Sequence, residues 1–109
     1  IGQNTIDTTA PSDMRVKKDI TPTTLNLTQL LQLQVVNFKY KESFSTDQSL
    51  HYGLIAQDVE QIYPYAVSTR SDGYKMISYD NLIPLLIEAV KEQQKTIDAL
   101  KLELSAIKR

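Results

Sequence analysis

The stretch IPLLIEAVKEQQKTIDALKLELSAI, residues 83–107, decides the fold because its aliphatic side chains recur every three and four residues. With Ile83 at position a of a heptad, seven of the eight a and d positions are aliphatic, and only Gln93 is polar. A repeat of 3.5 residues that continues over several heptads imposes a left-handed supercoil. We therefore predict a long coiled-coil helix whose seam consists of Ile83, Leu86, Val90, Gln93, Ile97, Leu100, Leu104 and Ile107.

The seam pattern leaves the number of helices in the coiled coil open. A polar residue such as Gln93 fixes register or oligomer number at some cost in stability, and mixed β-branched residues and leucines suit a dimer or a trimer. We expect Asp80 to cap this helix and Pro84 to lie in its first turn, where a missing N–H costs little. A single amphipathic helix packed on its own domain is disfavoured, because residues 91–109 extend beyond what the remaining chain covers.

Upstream of the long helix, apolar patterns predict a small head made of short elements. The leucines from Leu27 onward fall near helical spacing, with Thr23 or Thr24 available as an N-cap. Apolar and polar side chains then alternate over residues 36–40, which is the pattern of a strand.

The second half of the head contains a helix and a hairpin. IAQDVEQIYP, residues 55–64, has helical spacing, and Pro64 ends the helix because the residue before a proline leaves the α region. Residues 66–69 and 74–78 predict two strands joined by the Ser-Asp-Gly turn at 71–73. We predict an α+β fold in which this head precedes the long C-terminal helix.

Composition excludes several classes of function. The chain has 109 residues with no cysteine and one histidine, His51, which removes thiolate chemistry and histidine-rich metal sites. A formal net charge of -1 gives no bulk attraction for nucleic acid or anionic lipid. We predict a soluble protein with no cofactor, no metal, no nucleic-acid partner and no membrane partner, and because it opens on Ile1 we expect a piece of a longer polypeptide.

Two residue types receive a structural interpretation. His51, at an expected strand start, is expected to be a surface or core residue rather than a general base. The six tyrosines are expected in the core or at a subunit interface, although they could also form a carbohydrate-binding surface.

One polar segment, APSDMRVKKDI at residues 10–20, places Lys17 five residues after Ser12. A serine hydroxyl becomes a nucleophile when a base takes its proton, and a lysine is that base when its ammonium is destabilised by burial or by nearby positive charge. Ser12 and Lys17 could form a Ser–Lys dyad. From these residues alone, a solvated arm in which Ser12 caps a turn is favoured.

Three blocks of the sequence together resemble a known family. SDMRVKKDI, YGLIAQDVEQIYPYAV and ISYDNLIPLLIEAVKEQQKTIDAL follow in the order seen in the intramolecular chaperone domains of phage endosialidases, tailspikes and tail fibres, peptidase family S74. The similarity runs from about Ser12 to the end of the chain.

This resemblance implies a function and a set of site residues. Ser12 matches the family nucleophile and Lys17 its base, Asp13 and Arg15 match supporting motif positions, and the cleaved bond is expected at Pro11–Ser12. The domain would form a homotrimer, assist the folding of an upstream client of the same polypeptide and then cut itself off. If the chain derives from a phage, this occurs in the host cytoplasm during virion assembly.

The resemblance also implies a division of the chain and leaves two alternatives. Residues 1–11 would be the upstream linker, 12–80 the chaperone head and 81–109 the trimeric coiled coil. Assembly would order the arm and bury Lys17. A trimerisation module that never cleaves is the first alternative, and an ordinary coiled-coil adaptor, which ignores two of the three blocks, is the second.

Overall fold

The computed structural model describes residues 9–108, so most of the predicted upstream linker lies outside the described residues. The fold is α+β, as predicted, with two small antiparallel strand pairs and a long C-terminal helix. The elements are α1 (Leu27–Leu30), β1 (Val36–Phe38), β2 (His51–Gly53), α2 (Ala56–Ile62), β3 (Val67–Thr69), β4 (Lys75–Ile77) and α3 (Ile83–Ile107), with 3₁₀ turns at Met14–Val16, Pro64–Ala66 and Tyr79–Asn81.

The helix predicted from Leu27 is a single turn, and its cap differs from the prediction. Asn26, rather than Thr23 or Thr24, is the N-cap, and its side-chain oxygen accepts a hydrogen bond from the Gln29 N–H at 3.2 Å. Asparagine is among the strongest N-caps because its short side chain reaches this orphan donor. The helix therefore begins where Asn26 satisfies its first turn.

Strand β1 ends two residues earlier than predicted and pairs with β2, which begins at His51, where a strand start was expected. In the antiparallel pair, Val36 lies opposite Gly53 and Phe38 lies opposite His51. The partner is separated from β1 by a loop of twelve residues, 39–50. The pairing is thus a contact between segments that are distant along the chain.

The helix and hairpin predicted for the second half of the head are confirmed. Helix α2 ends at Ile62, just before Pro64, and β3 pairs with β4 in antiparallel register. Gly73 occupies the turn with a φ of 91°, a conformation that glycine adopts without steric cost. A salt bridge of 3.1 Å between Lys75 and Glu60 joins the hairpin to α2.

The core of the head is small and lies where α2, the hairpin and the start of α3 meet. Val59 is completely buried, and Ala66 and Leu82 are nearly so. Partly buried side chains surround these three, namely Leu33, Leu54, Tyr63, Val67, Ile77 and Leu85. The core fixes the base of α3 against the head.

The predicted cap of the long helix is wrong, because the chain enters α3 directly from a 3₁₀ turn. Asp80 lies inside the turn Tyr79–Asn81, and Leu82 occupies the N-cap position without a side-chain hydrogen bond. Burial of Leu82 in the core, rather than a capping side chain, anchors this end. Pro84 lies in the first turn, as expected.

Helix α3 has 25 residues and therefore a length of about 37 Å. Beyond Glu92 every described residue is exposed, so this half of the helix receives no cover from the head. Within residues 9–108, no helix combines the length and apolar character needed to cross a membrane.

Candidate active site and assembly face

The structure brings the two predicted catalytic side chains together. Lys17 Nζ donates a hydrogen bond to Ser12 Oγ over 2.6 Å, and both residues belong to the same chain. The contact is of the length expected when a serine hydroxyl and its base are in direct reach. Both residues are exposed, so the pair lies at the surface.

A 3₁₀ turn closes the five-residue separation between Ser12 and Lys17. Asp13 is the N-cap of the turn Met14–Val16, and its Oδ1 accepts a hydrogen bond from the Arg15 N–H at 2.9 Å. The Asp13 carbonyl accepts from the Val16 N–H at 3.0 Å, and the Met14 carbonyl accepts from the Lys17 N–H at 3.2 Å. The backbone thus turns back before Lys17 leaves it in extended conformation.

Asp13 and Arg15 also form an ion pair on this turn. Arg15 Nη2 lies 2.7 Å from Asp13 Oδ2, and Arg15 Nε lies 3.1 Å from Oδ1 and 3.2 Å from Oδ2. Side-chain and backbone hydrogen bonds from Arg15 hold the pKa of the Asp13 carboxyl below its ordinary value, and the same carboxylate raises the pKa of Arg15. The carboxylate is therefore ionised at neutral pH.

These residues lie on an exposed segment, residues 9–24, which we call the arm. The arm exposes apolar side chains as well as polar ones. Met14, Val16 and Ile20 are 75%, 66% and 65% exposed. Pro11, at the expected cleavage bond, is also exposed. Large apolar side chains that touch so little of their own chain mark a surface suited to association.

All eight predicted seam residues of α3 are exposed in the single chain. The first part of this seam continues into the head, because Ile83, Leu86, Val90 and Gln93 also line a groove of about 710 Å³. The opposite wall of the groove consists of apolar residues of α1, β2 and their flanks, including Leu27, Leu30, Leu31, Val35 and Leu54. We call the seam and this groove together the assembly face.

His51 takes part in a polar cluster that does not have the geometry of a catalytic triad. Its Nε2 lies 3.0 Å from Asp47 Oδ2 and 3.3 Å from Ser49 Oγ, so both partners approach the same ring nitrogen. A triad needs the carboxylate and the hydroxyl on different ring nitrogens. The His51 ring also stacks on Phe38 with centroids 5.4 Å apart, which fits its predicted structural role.

Four aromatic rings line a second cleft of the head, and two of them, Phe38 and Tyr40, contact His51. Phe38, Tyr40, Phe44 and Tyr74 form a chain of neighbouring rings with centroids 5.2 to 5.7 Å apart. The sequence patterns did not predict this cluster or the contacts of Asp47. The only signal was the alternation of aromatic and polar residues in β1.

Comparison with known proteins adds two findings. The family model described as "Chaperone of endosialidase" matches residues 12–68, which begin at Ser12 and end in β3. The long tail fiber protein Gp37 of Salmonella phage S16 is 31% identical over 109 residues, covering 94% of this chain and 15% of Gp37. The chain thus spans about a seventh of the length of this relative, and α3 lies outside the residues matched by the family model.

Proposed function

The chain belongs to the peptidase S74 family of endosialidase chaperones, and we propose that it trimerises, assists assembly of an upstream fibre and then cuts itself off beside Ser12. The family match covers the first two of the three sequence blocks, and the similarity to a phage tail fiber protein supports the same family resemblance. The contact between Lys17 Nζ and Ser12 Oγ at 2.6 Å is the observation that carries the self-cleavage part of the proposal.

The proposed reaction is one turnover of acyl transfer at the Pro11–Ser12 bond. The neutral amine of Lys17 takes the proton of the Ser12 hydroxyl, and Ser12 Oγ attacks the carbonyl carbon of Pro11. The C–N bond breaks as the Lys17 ammonium returns its proton to the leaving Ser12 nitrogen, which leaves an ester. Water then hydrolyses the ester to a Pro11 carboxylate and a free Ser12 hydroxyl.

Assembly would control this reaction through burial of the base. A lysine ammonium that is exposed to water keeps its proton, whereas burial disfavours the charged form. Lys17 is exposed in the single chain, and so are the apolar side chains of Met14, Val16 and Ile20 beside it. Covering this arm with a neighbouring copy would favour the neutral amine and start the cut only after assembly.

The assembly face supports the proposed trimer. Its exposed aliphatic seam needs partner helices, and the groove extends the same apolar surface into the head. The strand pairs of intertwined β-rich fibres are non-local and form slowly. A module that holds three chains together raises their effective concentration during folding. For a phage fibre, we place this step in the host cytoplasm during virion assembly.

A permanent trimerisation module that does not cleave is the second candidate. The assembly face would serve it equally well, and the exposure of the Ser12–Lys17 pair in the single chain favours it if no partner buries the pair. The two candidates share the trimer and differ only in the fate of the Pro11–Ser12 bond.

Mass spectrometry on the chain extended upstream into its natural client separates the two candidates. We expect the wild type to give a fragment that begins at Ser12, and Ser12→Ala and Lys17→Arg to remain full length. Lys18→Arg is the matched control, because it changes the neighbouring exposed lysine in the same way and should cut normally. A full-length wild type that is trimeric by sedimentation would leave the permanent trimerisation module as the function.

A further inference from the structure

We propose that Asp13 and Arg15 are positioning residues that hold the 3₁₀ turn in the shape that brings Lys17 to Ser12. We call the pair of side chains, with the turn that they close, the Asp13–Arg15 clamp. This inference rests on the proposed function, since it names the residues that align the proposed dyad. It assigns them no contact with the reacting bond.

The alignment of Ser12 and Lys17 has no support from the core. Every residue from 9 to 24 is exposed, so none of these side chains is buried in the core of the head. A short exposed segment would otherwise sample many conformations, and ordering it costs roughly 1–2 kcal/mol per residue in backbone entropy. Local hydrogen bonds therefore contribute to setting the distance between Lys17 Nζ and Ser12 Oγ.

The clamp supplies these local bonds in number. Four donor–acceptor pairs between 2.7 and 3.2 Å run from Arg15 to the Asp13 carboxylate, one from the backbone and three from the guanidinium. The backbone bond fixes the start of the turn, and the guanidinium holds the carboxylate in the orientation that this bond needs. Two further backbone bonds, donated by the N–H groups of Val16 and Lys17, complete the turn.

The ionisation of Asp13 fits positioning rather than proton transfer. Arg15 lowers the pKa of the Asp13 carboxyl, so the folded turn favours the carboxylate. The stabilisation is present above the unfolded-state pKa and is lost as pH falls through the lowered folded-state value. At neutral pH the carboxylate carries no proton to donate, and its acceptor sites are occupied by Arg15.

Single-turnover cleavage of the client-extended chain tests the clamp. We expect Asp13→Ala to slow cleavage about five- to tenfold, as loss of an N-cap would, and Arg15→Ala, which keeps the capping N–H and loses only an exposed ion pair, to slow it about twofold, with the trimer intact by sedimentation in both variants. Asp13→Asn should cut within about twofold of wild type, because the amide oxygen still accepts from the Arg15 N–H. The dependence of the rate on pH should keep the same shape in Asp13→Ala.

An acid–base role of Asp13 would give a different result, since Asp13→Asn would then be as slow as Asp13→Ala and one limb of the pH profile would disappear. Unchanged cleavage by Asp13→Ala beside an active wild type would overturn the clamp and leave the proposed function standing. Either outcome rejects the inference.

A second measurement tests the clamp even if the wild type does not cut. In NMR spectra, a nuclear Overhauser contact between the Lys17 ε-methylene and the Ser12 β-methylene should be present in wild type, retained in Asp13→Asn and lost in Asp13→Ala. Retention of this contact in Asp13→Ala would show that the turn forms without the clamp. Failure of the wild type to cleave would then count against self-cleavage alone.

Discussion

Replacement of Val90 by alanine measures how much apolar burial the assembly face gains when copies of the chain associate. Val90 belongs to both the seam and the groove and is 65% exposed in the single chain. The change removes two carbons, which are worth about 1.6 kcal/mol when fully buried at ~0.8 kcal/mol per carbon. About two thirds of this, roughly 1 kcal/mol per chain, is gained only on association.

Three copies of the substitution act together in a trimer. The expected loss is about 3 kcal/mol per trimer, which corresponds to a roughly hundredfold weaker association constant. In the isolated chain the same change should be neutral or slightly stabilising, since alanine has a better helix propensity than valine.

Val59→Ala is the matched control, because it removes the same atoms from a side chain that is fully buried in the head. It should lower the free energy of unfolding by about 2 kcal/mol, from lost transfer energy and a residual cavity, whether or not the chain is assembled. Sedimentation equilibrium gives the association constant, and urea unfolding at two protein concentrations gives the stability. An association constant that is unchanged in Val90→Ala would refute the assignment of this face to assembly.

Two further predictions follow from contacts within one chain. Co-expression of a Ser12→Ala chain with a Lys17→Ala chain, carrying tags of different mass, should give uncut mixed trimers, because the Ser12–Lys17 contact is made inside one chain; cut product in mass spectra would show that the lysine acts across subunits. Gly53→Ala should destabilise the head by about 1–3 kcal/mol in urea unfolding, because its Cβ would lie 2.9 Å from Tyr79 Oη and 3.0 Å from a Phe38 ring carbon; Tyr79→Phe should relieve part of this loss, and an additive double variant would contradict the steric reason.

The elements that the sequence predicted correctly are those whose signals are local. The long helix follows from a repeat that continues through Ile107, and Pro64 ends α2 by restricting the residue before it. The hairpin follows from a turn in which Gly73 takes a positive φ. Each of these signals lies within the element that it predicts and needs no knowledge of the rest of the fold.

The elements that the sequence missed depend on contacts between distant segments. The pairing of β1 with β2 crosses a twelve-residue loop, and α3 begins after Leu82 because burial in the core with Val59 anchors that residue. Asp80 is a residue type that often caps helices, but in the structure it lies inside a 3₁₀ turn and does not cap α3. Propensity is a weak guide wherever tertiary burial competes with it.

The sequence named the residues of the candidate site but did not predict the turn that brings them together. The family motif marked Ser12 and Lys17, yet only the structure shows that a local turn brings them within 2.6 Å. Asp13 and Arg15 were expected only to support the site, and the structure shows four hydrogen bonds between them on this turn. The sequence did not predict these hydrogen bonds, because a turn of three residues has no periodic pattern.

The contrast between the arm and the assembly face suggests how the proposed cleavage is timed. Alignment of Ser12 and Lys17 needs only the atoms of one chain, so association of three chains is not required to bring them together. Burial of Lys17, in contrast, is not provided by the described part of its chain, where residues 9–24 are all exposed. In the proposed mechanism, a site that is aligned in the single chain but remains hydrated responds to assembly when a neighbouring copy removes water from the lysine. The dyad would then be aligned before association, and cleavage would begin when association buries Lys17.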